Sequence, residues 1–164
     1  MQLVWLADTP KMTNPKSRPQ PDRRQNYAHF VSISTRWMDN DIYGHLNNVV
    51  YYSYFDTAVN EYLISRTALD IHNGSSIGLV VHSECDYFSS LSFPGVIDAG
   101  LRVGAIGSSS VSYEIGLFEA GEDKAAACGR FVHVYVDRES RTPKPLSSLM
   151  LAAVSPLAKV LAPT

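Results

Sequence analysis

The chain has little excess charge of either sign and no long apolar run. Its 164 residues include 14 lysines and arginines against 16 acids, which gives a net charge of −2. A protein that binds nucleic acid through phosphates needs a basic field, and this balance provides none. No apolar stretch approaches the roughly 20 residues of a membrane-spanning helix, and the first residues lack the order of a signal peptide. We therefore expect a soluble, cytoplasmic protein that contacts neither nucleic acid nor membrane.

Cysteine is scarce, and the histidines lack metal-ligand spacing. Cys85 and Cys128 are far apart, each in a run typical of a β-strand, and no CxxC pair is present. We interpret both as reduced, buried small hydrophobes, which fits a reducing compartment. His72, His82 and His133 show no HxxxH spacing, so we predict no metal site. A G-x-S-x-G elbow and a G-x-G-x-x-G loop are also missing.

Proline marks the boundaries of the predicted domain. Residues 1–26 contain four prolines and five basic residues, a density of proline that cannot sustain a helix or a central strand. We interpret this segment as a flexible basic arm. Contact of the arm with a phosphate or a neighbouring subunit stays open. Residues 27–145 are predicted to form the domain, and residues 146–164 a C-terminal extension with a short helix over residues 146–154.

Hydrophobic periodicity predicts one long helix. Residues 29–38 alternate in polarity as a half-buried strand does, with Trp37 on the apolar face. Residues 48–66 then change to helical spacing, and Asn47 or Asn48 can cap the helix. Its apolar stripe comprises Tyr51, Tyr54, Phe55, Ala58 and Tyr62. Further apolar residues, Val49 and Ile64 among them, widen this face, so we expect a largely enclosed helix.

The rest of the chain is strand-like. Residues 77–87, 96–106, 111–119 and 125–137 are four segments joined by short turns, which implies antiparallel pairing. One helix enclosed against an antiparallel sheet is an α+β architecture. A single sheet of this kind leaves a long edge and an apolar face, which a second copy of the chain would cover.

A polar segment joins the first strand to the helix. It contains Asp39, Asp41, Gly44 and His45, and it ends at the predicted helix N-terminus. A helix N-terminus presents unpaired N–H groups and the positive end of a dipole. Such a place can hold a polarised carbonyl oxygen, with an acid nearby to act on the carbonyl or on water. Asp39, nearer the strand, is expected to pair with Arg36 or to cap the turn.

Residues 39–51 read D-x-D-x-x-G-H-x-N-N-x-x-Y, which resembles the signature of hotdog-fold acyl-CoA thioesterases of the 4-hydroxybenzoyl-CoA thioesterase type. The resemblance covers about residues 30–145. It implies a hotdog fold, in which an antiparallel β-sheet wraps around one long central α-helix. It also implies an acyl-CoA substrate and a homodimer, commonly a dimer of dimers, with active sites at the subunit interface. The resemblance implies no metal. It also implies no cofactor, since coenzyme A is part of the substrate.

The resemblance also implies roles for individual residues. Asp41 matches the catalytic carboxylate, which acts as nucleophile or general base. The backbone N–H of Asn48 would face the thioester oxygen, and His45 would orient the carboxylate or the substrate. We place four further residues around the substrate: Tyr43, Gly44, Tyr51 and Glu84. Structural roles stay open for several of them, since Asp41 can also cap its turn and Tyr51 can belong to the core.

Two other functions are alternatives to a thioesterase. Hotdog hydratases and dehydratases use an Asp and His pair with D-x-N-x-x-H spacing, and the segment after Asp41 lacks both the Asn and the spacing. A non-catalytic acyl-CoA-binding module is the second alternative. The serines at residues 108–110 stand where many relatives carry a basic residue, so the way in which CoA phosphates bind is not defined by the sequence. The acyl group is also left open.

Overall fold

The computed structural model describes residues 19–158, so most of the predicted N-terminal arm and the last six residues lie outside it. A strand, a long helix, four strands and a short helix follow one another in the described part. Their bounds are β1 (His29–Ser34), α1 (Asn48–Ser65), β2 (Ser76–Tyr87), β3 (Val96–Ile106), β4 (Ser110–Glu119), β5 (Ala127–Asp137) and α2 (Ser148–Val154). The predicted order of elements is confirmed.

The five strands form one sheet with the order β1-β3-β4-β5-β2. All four pairings are antiparallel, as the short connections predicted. The pairing of β2 with β5 shifts register between Val80 and His82, which marks a bulge in this edge strand. Because β2 pairs only with β5 within residues 19–158, its outer edge is available for another strand.

Helix α1 packs across the sheet. The predicted stripe is buried, and Phe55 at its centre lies directly over Gly129 of β5, where a Cβ would overlap the Phe55 ring. Tyr52 and Phe131 stack beside this contact, with ring centroids 5.9 Å apart. The helix is less enclosed than expected, however. Of the residues expected to widen the apolar face, Val49 and Ile64 are exposed, whereas Val59 and Leu63 are buried with the stripe.

The first strand is shorter than predicted. It ends at Ser34, and a 3₁₀ turn, Trp37–Asp39, follows. The turn forms because the Asp39 carboxylate accepts hydrogen bonds from both the backbone and the side chain of Arg36. The alternating pattern therefore fails at Trp37, whose side chain is 80% exposed and does not lie on the buried face.

Both chain ends of the described part join the domain. Asp22 forms an ion pair with Arg102 of β3, and Arg23 forms one with Asp123. The folded part thus begins before the predicted boundary at Tyr27. At the other end, the Tyr62 hydroxyl donates to the carbonyl of Ala153 in α2 at 2.7 Å, so the predicted extension is part of the core up to that point. No helix between residues 19 and 158 has the length and apolar character to cross a bilayer.

Candidate active site

The two acids of the polar segment have different surroundings. Asp39 is 1% exposed and accepts a hydrogen bond from the Tyr54 hydroxyl at 2.6 Å and from Arg36 Nε at 3.0 Å. Burial opposes its charge, but the hydrogen bonds from Arg36 and Tyr54 outweigh this effect and lower the pKa of Asp39 below its ordinary value. The predicted pairing of Asp39 with Arg36 is confirmed. Asp39 fixes the turn against α1 and has no free face for a substrate.

Asp41 has one engaged oxygen and one unengaged oxygen. Its Oδ1 accepts from the backbone N–H of Tyr43 at 2.8 Å and, more weakly, from that of His45 at 3.4 Å. The backbone N–H of Asp41 donates to the His45 carbonyl at 2.8 Å, which closes the loop. No hydrogen bond in the described part of the chain reaches Oδ2. The turn therefore orients the carboxylate through one oxygen and leaves the other available for chemistry.

Gly44 makes this loop possible. Its φ is +82°, in the left-handed region where a Cβ is strained, and a Cβ there would meet no other atom within 4 Å. Glycine is therefore required at position 44 by the backbone conformation and not by a lack of space. The Gly44 N–H donates to the Asp41 carbonyl at 3.2 Å, which tightens the turn around the acid.

The helix N-terminus leaves one backbone donor unpaired. Asn47 is the N-cap, because its side chain accepts from the N–H of Val49 at 3.2 Å and its carbonyl accepts from the N–H of Val50 at 2.9 Å. Between residues 19 and 158 the N–H of Asn48 has no such acceptor. It lies at the positive end of the α1 dipole, where a carbonyl oxygen that gains charge is stabilised.

A shallow cavity of about 280 Å³ opens in front of this N-terminus. The end of β2 forms its far side, since the Tyr87 hydroxyl donates to the Asn48 carbonyl at 3.2 Å and the Tyr87 ring packs edge-on against Tyr51 at 5.0 Å. The residues around the cavity are His45, Leu46, Asn48, Tyr51, Tyr87, Phe88, Ser89 and Ser90.

The structure brings together some of the predicted site residues. His45, Asn48 and Tyr51 line the cavity, while Asp41, Tyr43 and Gly44 lie on the loop just before it. Glu84 lies elsewhere in the single chain. It is exposed on β2, 3.4 Å from His82 and 3.7 Å from Arg130. The segment from Tyr87 to Ser90 was not predicted as part of the site, because only the topology shows that β2 ends beside the start of α1.

The cysteines and the possible metal ligands of the described chain form no further reactive site. Burial raises the pKa of the Cys85 thiol to about 11, so this cysteine is protonated at neutral pH. Cys85 and Cys128 are both half-buried and form no disulfide. Across residues 19–158, histidines, cysteines and acids form no group of three that could hold a metal ion.

The architecture is that of the hotdog fold, with a long helix wrapped by an antiparallel sheet. The profile of the thioesterase-like superfamily matches residues 35–154, and the chain belongs to this superfamily. The match includes the Asp41 loop, all of α1 and the strands that follow.

Individual proteins resemble the chain to different degrees. The structure of the PA5185 protein from Pseudomonas aeruginosa strain PAO1 is 53% identical, covers 88% of this chain and 100% of its own, and superposes with a TM-score of 0.84. YsmA of Bacillus subtilis is 26% identical over 122 residues, which are 74% of this chain and 82% of YsmA. Slr0204, a 1,4-dihydroxy-2-naphthoyl-CoA thioesterase from Synechocystis, is 17% identical over 76% of this chain and 93% of its own. With a TM-score of 0.70, it shares the fold.

Proposed function

We propose that the protein hydrolyses the thioester bond of an acyl-CoA to give the free acid and CoA. The observation that carries the proposal is the loop before α1: within residues 19–158, one oxygen of its Asp41 accepts no hydrogen bond, and the N–H of Asn48, at the start of the helix that the loop enters, has no acceptor. Membership of the thioesterase-like superfamily supports the reaction class.

In the proposed reaction the thioester carbonyl oxygen accepts a hydrogen bond from the Asn48 N–H. The helix dipole stabilises the negative charge that develops on this oxygen. Asp41 then acts through Oδ2 in one of two ways. In the first, it takes a proton from a water molecule that attacks the carbonyl carbon. In the second, it attacks that carbon itself and forms a mixed anhydride, which water then hydrolyses.

Both routes have the same overall balance. The C–S bond breaks, water supplies the new C–O bond, and one proton ends on the sulfur of CoA. A thiolate is a stable leaving group compared with an alkoxide, since a thiol has a pKa of about 8.5. The site therefore needs no strong general acid. His45 holds Asp41 through its backbone, and it is one of the residues that line the cavity in which the substrate would lie.

We further propose that the working form is a homodimer built through the outer edge of β2. Leu79, Val80 and Val81 are exposed on β2, and Val81 is 61% exposed on a strand edge that pairs with no further strand within residues 19–158. A two-fold axis would extend the sheet by pairing β2 with its copy. A second exposed apolar surface, formed by Trp37, Met38, Ile42 and Tyr43, borders Asp41 and is suited to a further contact in a dimer of dimers.

Thiol release from a panel of short-chain, medium-chain and aromatic acyl-CoAs tests the proposal. Release by the native chain that disappears in Asp41→Asn supports it. Hydration of an enoyl-CoA without thiol release would favour the hydratase alternative. Tight binding of acyl-CoA with neither reaction would favour the binding module.

A further inference from the structure

The cavity in front of α1 is poor in positive charge. Neither a lysine nor an arginine is among the residues that line it. The substrate of the proposed reaction carries a diphosphate and a 3′-phosphate at the far end of its pantetheine arm, and phosphate groups are strongly anionic at neutral pH. A cation near the mouth of the cavity would therefore stabilise the bound substrate.

A second cavity, of about 560 Å³, adjoins the first. It is lined by Pro19, Gln20, Pro21, Asp86, Tyr87 and Phe88. Tyr87 and Phe88 also line the cavity in front of α1, so the two cavities share the end of β2 as a wall. Asp86 is exposed and adds a negative charge here, which repels a phosphate unless cations offset it.

The basic N-terminal segment joins the described domain at this second cavity. Pro19 lines the cavity, and Asp22 then fixes the chain to β3 through its ion pair with Arg102 at 2.6 Å. Arg18 directly precedes Pro19, and Lys16 is three residues before it. A chain spans at most about 3.6 Å per residue, so the Cα of Lys16 lies within about 11 Å of the Cα of Pro19. Covalent connectivity thus keeps two cations close to the rim of the thioester site.

Most cations of the described chain are already engaged. Six of them form ion pairs with acids, namely Arg23, Arg24, Arg36, Arg102, Arg130 and Lys144. Arg138 donates to backbone carbonyls of the loop after α1. Arg66, Lys124 and Arg141 form no ion pair with an acid of residues 19–158. Of these three, Arg66 follows the last residue of α1, about 27 Å from the helix N-terminus.

Lys124 is the described cation that competes with the N-terminal segment. It lies two residues before Ala126, whose carbonyl accepts from the N–H groups of Phe88 at 2.8 Å and Ser89 at 3.1 Å. A single lysine offers one charge, however, whereas CoA presents a diphosphate and a separate 3′-phosphate. A lysine and an arginine together fit this ligand better, since arginine pairs with a phosphate through two parallel hydrogen bonds and lysine adds a second charge.

We propose that Lys16 and Arg18 bind the phosphate groups in the CoA part of the substrate. The inference rests on the proposed function and deepens it. The thioester lies against Asn48, the pantetheine arm passes Tyr87, and the phosphates reach the basic segment before Pro19. This segment then supplies the positive charge that the serines at residues 108–110 do not.

Paired substrates with and without phosphates test the inference. The acyl-CoA that the native chain hydrolyses fastest is compared with the same acyl group on pantetheine, which keeps the thiol arm and has no phosphate. In the full-length variant Lys16→Gln/Arg18→Gln, KM for the acyl-CoA should rise roughly tenfold at low salt, the factor expected for two exposed charge pairs. Its kcat and KM for the acyl-pantetheine should stay at native values. Added salt should reduce the difference between the two proteins, because it screens exposed charges.

Two control variants locate the charge that acts on the substrate. Arg66→Gln/Arg141→Gln removes the same net charge at exposed positions and should keep the native KM for the acyl-CoA. A rise equal to that in Lys16→Gln/Arg18→Gln would show an effect of net charge alone and would overturn the inference. Lys124→Gln tests the competing cation. A higher KM in Lys124→Gln, with a native KM in Lys16→Gln/Arg18→Gln, would also overturn it.

An unchanged KM for the acyl-CoA in Lys16→Gln/Arg18→Gln, or an equal rise for the acyl-pantetheine, would contradict the inference while the proposed hydrolysis stands. If no acyl-CoA releases thiol, the proposed function fails, and calorimetric binding of CoA and of pantetheine decides the inference. Weaker binding of CoA by Lys16→Gln/Arg18→Gln, with binding of pantetheine unchanged, supports it. Equal binding of CoA by the native chain and this variant, or no binding of CoA by the native chain, contradicts it.

Discussion

The hydroxyl of Tyr54 donates to Oδ2 of Asp39 at 2.6 Å, and this bond ties α1 to the loop that carries Asp41. The same carboxylate accepts from Arg36, so a buried acid is fully engaged two residues before an acid with an unengaged oxygen. Asp39 thus anchors the loop, and Asp41 is the acid available for chemistry. This division of roles leads to opposite predictions for the two residues.

The variant Asp41→Asn should lose at least roughly 100-fold in kcat for thiol release, because an amide neither attacks a thioester nor accepts a proton from water. Its thermal midpoint should stay near that of the native protein, since an amide oxygen still accepts from the Tyr43 N–H. Steady-state assay and thermal melts measure the two effects. Retained turnover in this variant would remove Asp41 from the mechanism.

The variant Tyr54→Phe should lower the free energy of unfolding by about 1.5–3 kcal/mol, the usual range for a hydrogen bond to a charged group. Denaturant unfolding measures the change. Tyr52→Phe is the matched control, because the Tyr52 hydroxyl makes no hydrogen bond within residues 19–158, and its effect should stay within about 0.5 kcal/mol. Equal effects of the two changes would argue against the anchoring role of Asp39.

The variant Gly44→Ala should destabilise the protein by roughly 1–2 kcal/mol and also reduce turnover, because the strained residue distorts the loop that orients Asp41. Gly121→Ala is the control. Gly121 has a φ of +88° and equally open surroundings, but it lies in the turn between β4 and β5. It should show a similar loss of stability with unchanged kcat. A loss of turnover in both variants would show that the effect is not specific to the loop.

Acid should destabilise the fold through His133. The pKa of His133 is lowered by burial from its ordinary value of 6.5, so below about pH 6.5 the unfolded chain binds more protons than the folded one. The contribution of the neutral ring is complete above that pH and is lost progressively as the pH falls. Thermal midpoints between about pH 7.5 and pH 5.5 should therefore drop further in the native protein than in His133→Phe. Equal dependence of the thermal midpoint on pH in the native protein and in His133→Phe would contradict this role of the buried ring.

The variant Val81→Lys should convert a dimer into monomers, because a lysine on a strand edge blocks pairing with a second copy. Sedimentation velocity measures the change, and thiol release should fall with it if the partner completes the site. Leu149→Lys, at another exposed apolar residue on α2, should leave the assembly intact. A native chain that sediments as a monomer would contradict the proposed interface.

The local pattern of apolar and polar residues in the sequence determined the type of most secondary-structure elements. Helical spacing from Tyr51 to Tyr62 predicted α1, and short links predicted an antiparallel sheet, because both depend on contacts between near neighbours in sequence. The motif around Asp41 predicted the position of the candidate site. Alternation failed at Trp37, where the carboxylate of Asp39 turns the chain out of the strand.

Only the tertiary structure decided which distant residues complete the site. The strand order places β2 at an edge of the described sheet, where Tyr87 reaches the start of α1 and Val81 is exposed. It also buries His133 in the middle of β5, where Nε2 has no hydrogen-bond partner within residues 19–158. Strand order and register depend on contacts between residues far apart in the chain. The periodicity of a single strand reports which of its faces is buried, and it carries no information about the neighbour across it.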